Sequence, residues 1–421
     1  MLSLNVTEQP AGAGNWRHYG WVIVAIGMLA VLGSLGLARL GYSIILPSMQ
    51  AGLQIDNTHA GALATANLVG YLVLAVLGGA LASRFGPRYV IAVGLFLVAV
   101  AMLLTAVAKS FPEAFVWRAL SGIGSGATNV PVMGLVGGWF ALRRRGMASG
   151  LVVSGSSLGL IACGPLVPWV LARYGPEGWR TCWVILGAAT LVIALLALWL
   201  LRNRPAELNL RPYGAEADDV VAPPATGALN WGAVYRSPAM WHLGFVYVAY
   251  GFAYMIYMTF FVKALIAQGG YTPMAAGRLF MLMGWFSLLA GMIWGAVSDV
   301  IGRKAALIVV YLIQAVAFGL FALYPNPVGF TLSAVLFGIT AWSIPAITAA
   351  ACGDMLGPRL APAGLGFVTL FLGIGQAVGP LVAGMMADAR GSYLPAVLVA
   401  SVASLVGAVL AGFLRETVVC E

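Results

Sequence analysis

Between residues 19 and 414 the chain alternates apolar runs about twenty residues long with short polar turns. A helix of that length just crosses the hydrocarbon core of a bilayer, about 30 Å thick. Inside lipid, each such run has to satisfy its own backbone hydrogen bonds, which makes it a helix. Twelve spans are read, at about 19–47, 60–82, 89–108, 114–139, 147–172, 179–201, 240–264, 277–297, 305–323, 328–352, 363–386 and 393–414. The fold class expected is therefore all-α and multi-pass, with twelve transmembrane helices. Only 8% of the 421 residues are charged and 61% are hydrophobic, against about 25% charged in a soluble domain. That leaves little material for a soluble catalytic unit. No Ser/His/Asp set, metal cluster or phosphate-cradling loop is evident, so neither an enzyme nor a metal or cofactor is expected.

The net charge of +9 does not point to nucleic acid, because the bases are dispersed through short loops. Fourteen fall on one set of loops and six on the other, which places both termini in the cytoplasm of a cell-membrane protein. Residues 1–18 lack a basic-then-apolar leader pattern. Cys163, Cys182, Cys352 and Cys420 have no metal-type spacing and read as small packing residues.

One loop stands out. Gly295-Ala-Val-Ser-Asp299-Val-Ile-Gly302-Arg303-Lys304 joins two apolar runs, and its acid can take a helix N-terminus or Arg303. A second copy, Gly79-Ala-Leu-Ala-Ser-Arg-Phe-Gly86-Pro-Arg88, lies 216 residues earlier (79 to 295), with Ser83 in place of the acid. Pro131 and Pro345 are 214 apart, and Pro165 and Pro380 are 215 apart. A near-constant offset over six spans is the mark of a parallel duplication. Residues 1–201 and 240–421 are then the two copies, and 202–239, with Glu216, Asp218, Asp219 and Pro223-Pro224, is a polar linker. A short surface helix is predicted over 230–238.

Gly-x-x-x-Asp-x-x-Gly-Arg-Lys between two membrane helices resembles the signature loop of the major facilitator superfamily. The resemblance covers nearly the whole chain. It implies two six-helix bundles that rock around a substrate held near the membrane midplane. Phe85-Gly-Pro-Arg88, Arg145-Gly-Met-Ala-Ser-Gly150, Tyr235-Arg-Ser-Pro238 and Trp294-Gly-Ala-Val-Ser-Asp299 resemble the oxalate–formate exchanger and monocarboxylate transporter branch. The branch's eighth-span arginine is absent; Gly291 stands at its place. The oxalate carrier's eleventh-span lysine falls near Leu372.

Two bases lie within spans. Arg39 is some twenty residues into the first, and Arg118 lies early in the fourth, in an Arg-x-x-x-Gly-x-Gly string that resembles a common superfamily motif. A charge in hydrocarbon costs upward of about 2.5 kcal/mol, so each should face a cavity or a partner. Arg118 could instead bond helix-end carbonyls, and Arg39 could snorkel to the interface. All thirteen acids fall in loops or at span ends. A cavity with embedded arginines and no carboxylate favours an anion.

On the seventh span Tyr247, Tyr250, Tyr254, Tyr257 and Phe261 fall within roughly an 80° arc. Such a stripe is usually packing, but each buried phenol needs a partner. Tyr250, Tyr254 and Tyr257 are taken as candidate cavity residues, together with Asn129 and Gln376. Asn67 and Gln314 are the other amides in spans, and each amide could merely bond a neighbouring helix. His242 is expected at the interface.

The fifth span carries Gly155 and Gly164-Pro165, and the eleventh repeats it as Gly375 and Gly379-Pro380. This resembles the glycine-rich motif of proton-coupled antiporters; physically it is a kinked helix that lets backbones touch. The reading that results is a monomeric secondary transporter of a small organic anion, a monocarboxylate, with protons as a coupling partner through the substrate itself. A proton-coupled efflux pump for amphipathic compounds or sugars is the alternative.

Overall fold

A computed structural model of the chain describes residues 18–215 and 231–414. Residues 1–17, the acidic part of the linker (Glu216, Asp218, Asp219 and Pro223-Pro224) and Cys420 lie outside the described residues. The described residues are helical apart from turns and one isolated bridge between Phe140 and Tyr213. Among the described residues, ten stretches are long and apolar enough to cross a membrane.

In the first half the helices are α1 (Gly20–Leu53), α2 (Asn57–Phe85), α3 (Pro87–Val107), α4 (Phe111–Trp139), α5 (Leu142–Val153), α6 (Gly155–Tyr174) and α7 (Gly178–Leu200). In the second they are α8 (Pro238–Ala267), α9 (Pro273–Ser287), α10 (Ala290–Ile301), α11 (Arg303–Leu323), α12 (Pro327–Gly338), α13 (Ser343–Arg390) and α14 (Leu394–Gly412). Proline opens α3, α8, α9 and α12, where its missing N–H costs nothing. Asp56, Thr272 and Asn326 cap α2, α9 and α12 with side-chain oxygens.

Two departures from a plain row of spans matter. The middle of α1, Leu32–Leu40, is wound as a π-helix. The helix α13 is 48 residues long and is broken inside at Gly357, whose φ of +72° only glycine adopts readily. The predicted surface helix is present as Trp231–Tyr235. The first part of the linker is docked: Tyr213 donates to Trp139 O (2.8 Å) and accepts from Ala141 N–H (3.0 Å). His18, Trp21 and Phe140 pack around its ring.

The duplicated loops have the same backbone. Gly86 (φ +86°, ψ 137°) and Gly302 (φ +87°, ψ 151°) each stop one helix and start the next. The later loop holds an ionic knot: Arg303 pairs with Asp299, donates from Nε to Asp354 (2.8 Å) and from Nη1 to Ser298 Oγ (2.6 Å). The earlier loop lacks an acid and uses neutral acceptors instead. There Arg88 donates its N–H to Asn203 Oδ1 (2.9 Å) and its Nε to Leu198 O (2.8 Å).

The glycine motifs do matching work in the two halves. Gly155 lies on Met28 O of α1, and Gly375 lies on Val248 O of α8; a methyl at either would collide with that carbonyl. Such close approach lets helices associate in lipid, where no hydrophobic force drives them together.

The two halves meet along two antiparallel seams of small residues. On α2 and α13, Asn57 faces Gly384, Gly61 faces Pro380, and Thr65 donates to Ala377 O (2.6 Å). On α6 and α9, Gly164 faces Gly277 and Leu160 faces Gly284. Both seams run from the Asn57 end toward the middle. Toward the other end, that of the duplicated loops, Gly134, Gly137, Gly138 and Gly366 face open space.

The Asn57 end is tied by polar bonds. Asp388 accepts from the Asn57 and Thr58 N–H groups (3.1 and 2.7 Å) and from the Thr58 hydroxyl (2.5 Å). Asn57 Oδ1 accepts from Gln50 (3.0 Å), Lys263 (2.9 Å) and Tyr393. Tyr393 sits in the turn before α14, and burial, with the Asp388 charge behind it, pushes its phenol above the usual range.

Candidate functional site

Both arginines are buried: Arg118 is 1% exposed and Arg39 8%. Their surroundings differ. From Nη1 Arg118 donates to Ala38 O on α1 (2.7 Å), and its guanidinium lies over the rings of Tyr42 (4.5 Å) and Trp183 (5.3 Å). It is thus held inside the first half, against a carbonyl of the π-wound stretch. Arg39 belongs to that stretch. Its Nε donates to Asn67 Oδ1 (3.3 Å), and its face lies on the Tyr71 ring at 4.4 Å. Its Nη2 is buried with no partner among the described residues.

Asn67 joins the two, since its Nδ2 donates to Arg118 O (3.2 Å). The sequence offered Asn67 only as one of several amides. Tyr71, four residues on and so on the same face of α2, was missed. An amide and a phenol one turn apart in an apolar helix was the signal that could have found the pair.

From the second half, Tyr254 accepts from Gln376 Nε2 (2.7 Å) and interacts with Arg39 across the halves. Arg39, Tyr254 and Gln376 are therefore brought together. The other candidates are engaged by protein. Tyr250 donates to Ala341 O (2.5 Å), and Tyr257 bonds Ser333 Oγ (2.7 Å) within a shell of Phe261, Phe318, Phe321 and Phe337. Asn129 donates to Ser34 Oγ and Ser125 O (both 3.2 Å), one layer further along α4. Tyr247, Tyr250 and Tyr254 stack face to face, at 6.0 and 4.8 Å between centroids.

Trp342, in the turn between α12 and α13, sits edge-on to Tyr254 (6.5 Å) and donates to Ser157 Oγ (2.8 Å). Ser287 donates to the same oxygen (2.8 Å). This hydroxyl–indole contact joins the halves, and no motif or periodicity in the chain signals it. Among the described residues no group of His, Cys, Asp or Glu could hold a metal ion.

Asp299, Asp354 and Asp388 all lie at helix ends, as do Asp56, Glu113, Glu177 and Glu207. The centre thus holds two cations, several neutral donors and no carboxylate among the described residues.

A family model described as "Uncharacterised MFS-type transporter YbfB" matches residues 31–412. The chain belongs to the major facilitator superfamily. Monocarboxylate transporter 13 of Bos taurus is 25% identical, over 94% of this chain and 88% of that protein. A probable sulfoacetate transporter, SauU, of Cupriavidus necator is 25% identical, over 84% of each chain. Among solved structures, a bacterial homolog of the human lysosomal transporter Spinster, inward-facing and unoccupied, matches with a TM-score of 0.75 at 15% identity, over 95% of this chain and 96% of that one. This facilitator is accordingly a membrane transporter and not an enzyme, and its monocarboxylate-transporter relative agrees with the branch its loops resemble.

Proposed function

We propose that this facilitator is a secondary transporter that moves a small organic anion, a monocarboxylate, across the cell membrane by alternating access. The observation that carries the reading is Arg39 Nη2: a buried, positively charged donor without a partner, in a centre that holds no carboxylate among the described residues. An unpaired charge costs several kcal/mol when dry, and an anionic substrate removes that cost. Arg39, Tyr254 and Gln376 hold the anion. Arg118 fixes the π-wound stretch from behind, while Asn129, Tyr250 and Tyr257 give the site its walls.

The relative named as a monocarboxylate transporter fits this choice, and the one named for sulfoacetate, a dianion, fits the broader choice of an organic anion. The architecture proposed is two six-helix bundles, residues 1–201 and 240–421, joined by a linker over 202–239. Dividing the stretch Arg144–Leu200 at the turn Gly175–Glu177, and counting the more polar Phe111–Trp139, brings the ten apolar stretches to twelve helices. The excess of bases on the loops of the signature motif puts both termini in the cytoplasm. With the seams closed at the Asn57 end, this form opens to the cytoplasm. The carrier works as a monomer, and a proton accompanies the bound anion as coupling partner.

The test is uptake of radiolabelled acetate, pyruvate and benzoate by proteoliposomes, against tetraphenylphosphonium as a lipophilic cation. Saturable uptake of a carboxylate, abolished by Arg39→Ala, is expected. Transport of the cation alone would discard the reading.

A further inference from the structure

Arg118 Nε and Ser121 Oγ lack an acceptor inside the first half, and three further donors in the middle of the molecule also lack one, of which only one carries charge. Arg39 is the first. Its face is covered by the Tyr71 ring, so the Nη2 edge is what remains to bond a ligand. The Tyr71 and Tyr247 phenols are the others: neither hydroxyl has a hydrogen-bond partner among the described residues. Tyr247 is 3% exposed. Neighbouring phenols are satisfied, Tyr42 on Ala60 O, Tyr250 on Ala341 O, Tyr257 on Ser333 and Tyr311 on Val246 O.

Tyr71 belongs to α2 in the first half and Tyr247 to α8 in the second. The Tyr71 ring lies under the Arg39 guanidinium at 4.4 Å, and Tyr247 stacks through Tyr250 on Tyr254, the phenol bonded to Gln376. A phenol donor with no acceptor in the protein is available to a ligand, so two of them beside a free guanidinium edge describe a ligand's outline. An ionised carboxylate accepts at about four lone-pair sites and has no donor of its own.

We infer that Tyr71 and Tyr247 are substrate-binding residues that, together with Arg39, close on one carboxylate from both halves. The inference rests on the proposed anion transport and adds its selectivity. Arg39 with two neutral donors balances a single negative charge, while the Arg118 guanidinium is turned to Ala38 O, Tyr42 and Trp183. A dicarboxylate would bring a second charge to a place that offers it only phenols. Monocarboxylates are therefore preferred over dicarboxylates of similar size. Because the phenols come from different halves, the bound carboxylate also ties the halves together at the centre.

The experiment measures binding of benzoate, pyruvate and oxalate to purified full-length protein by calorimetry, for the wild type, Tyr71→Phe, Tyr247→Phe and the double variant. Tyr311→Phe, whose hydroxyl serves Val246 O, is the control, and thermal unfolding reports the fold. Expected is a fivefold or greater loss of monocarboxylate affinity for each single variant, more for the double, unchanged unfolding, and an effect under twofold for the control. Wild-type protein should bind oxalate at least tenfold more weakly than pyruvate. If Arg39→Ala abolishes carboxylate binding while both phenylalanine variants bind as wild type, the phenol clamp is wrong and the anion reading stands. If wild-type protein binds none of the three acids, both fall.

Discussion

The surroundings of Arg118 and of Arg39 make an instructive pair. Each guanidinium is buried in the first half and each lies on aromatic rings. The Arg118 region is core: carbonyl, phenol ring and indole are gathered around the charge, its Nε is left without a partner, and every element involved belongs to the same half. The Arg39 region is unfinished, with a spare Nη2 and with neighbours from both halves. Burial alone therefore does not make an intramembrane charge a binding group. What distinguishes the two is whether the groups around the charge come from one half or from both.

The largest effect that would break this contrast is at Arg118. Arg118→Ala empties the space against Tyr42 and Trp183 and frees the Ala38 carbonyl, and should cost about 3–5 kcal/mol of stability. Thermal unfolding in detergent would measure it, and unchanged unfolding would make the two regions alike. At Arg39 the expectation reverses. Arg39→Ala should unfold as wild type yet lose about ten- to a hundredfold in anion affinity, the value of a hydrogen bond to a charge, about 1.5–3 kcal/mol. Arg39→Lys should rescue poorly, since a point ammonium cannot keep both the Asn67 bond and a planar stack on Tyr71. Proteoliposome uptake and calorimetry separate these outcomes.

Asn67 touches both regions, so it sharpens the comparison. Asn67→Asp sets a carboxylate against the Arg39 Nε, now 3.3 Å from the amide oxygen, and fills the role of the substrate. Uptake should fall about tenfold, roughly 1.4 kcal/mol, while the protein still folds. The smallest effect belongs to Tyr42→Phe. It removes one hydroxyl bond to Ala60 O (2.7 Å), worth about 1 kcal/mol. Unfolding should shift by about 2 °C with transport untouched.

Much of the architecture was legible because lipid imposes it. Span length, loop charge and the duplicated glycine loops are one-dimensional signals, and Gly86 and Gly302 do share a backbone conformation. The glycines at 155, 164, 375 and 379 each lie against a backbone carbonyl of a neighbouring helix. The site was legible only in part. Arg39, Tyr254 and Gln376 were named, but Tyr71 and Trp342 were not. Whether a phenol is satisfied depends on a carbonyl elsewhere in the chain, such as Ala341 O for Tyr250, nearly a hundred residues away. No periodicity within one helix carries that information. The winding of Leu32–Leu40 was equally hidden, for it follows from how α1 crosses its neighbours, with Gly36 against Gly159.

That winding has a consequence of its own. In Leu32–Leu40 hydrogen bonds close five residues apart, as from Gly41 N–H back to Gly36 O, so the segment holds slack that a tighter coil would expel. Taking up one residue of it would turn the helix beyond by about 100° and advance it by about 1.5 Å. Arg39 rides on the last turn of that segment, and such a slip would swing its charge off Asn67 while every other helix stayed in place. On the proposed alternating-access reading, release of the anion is then one coil tightening, separate from the rocking of the two halves.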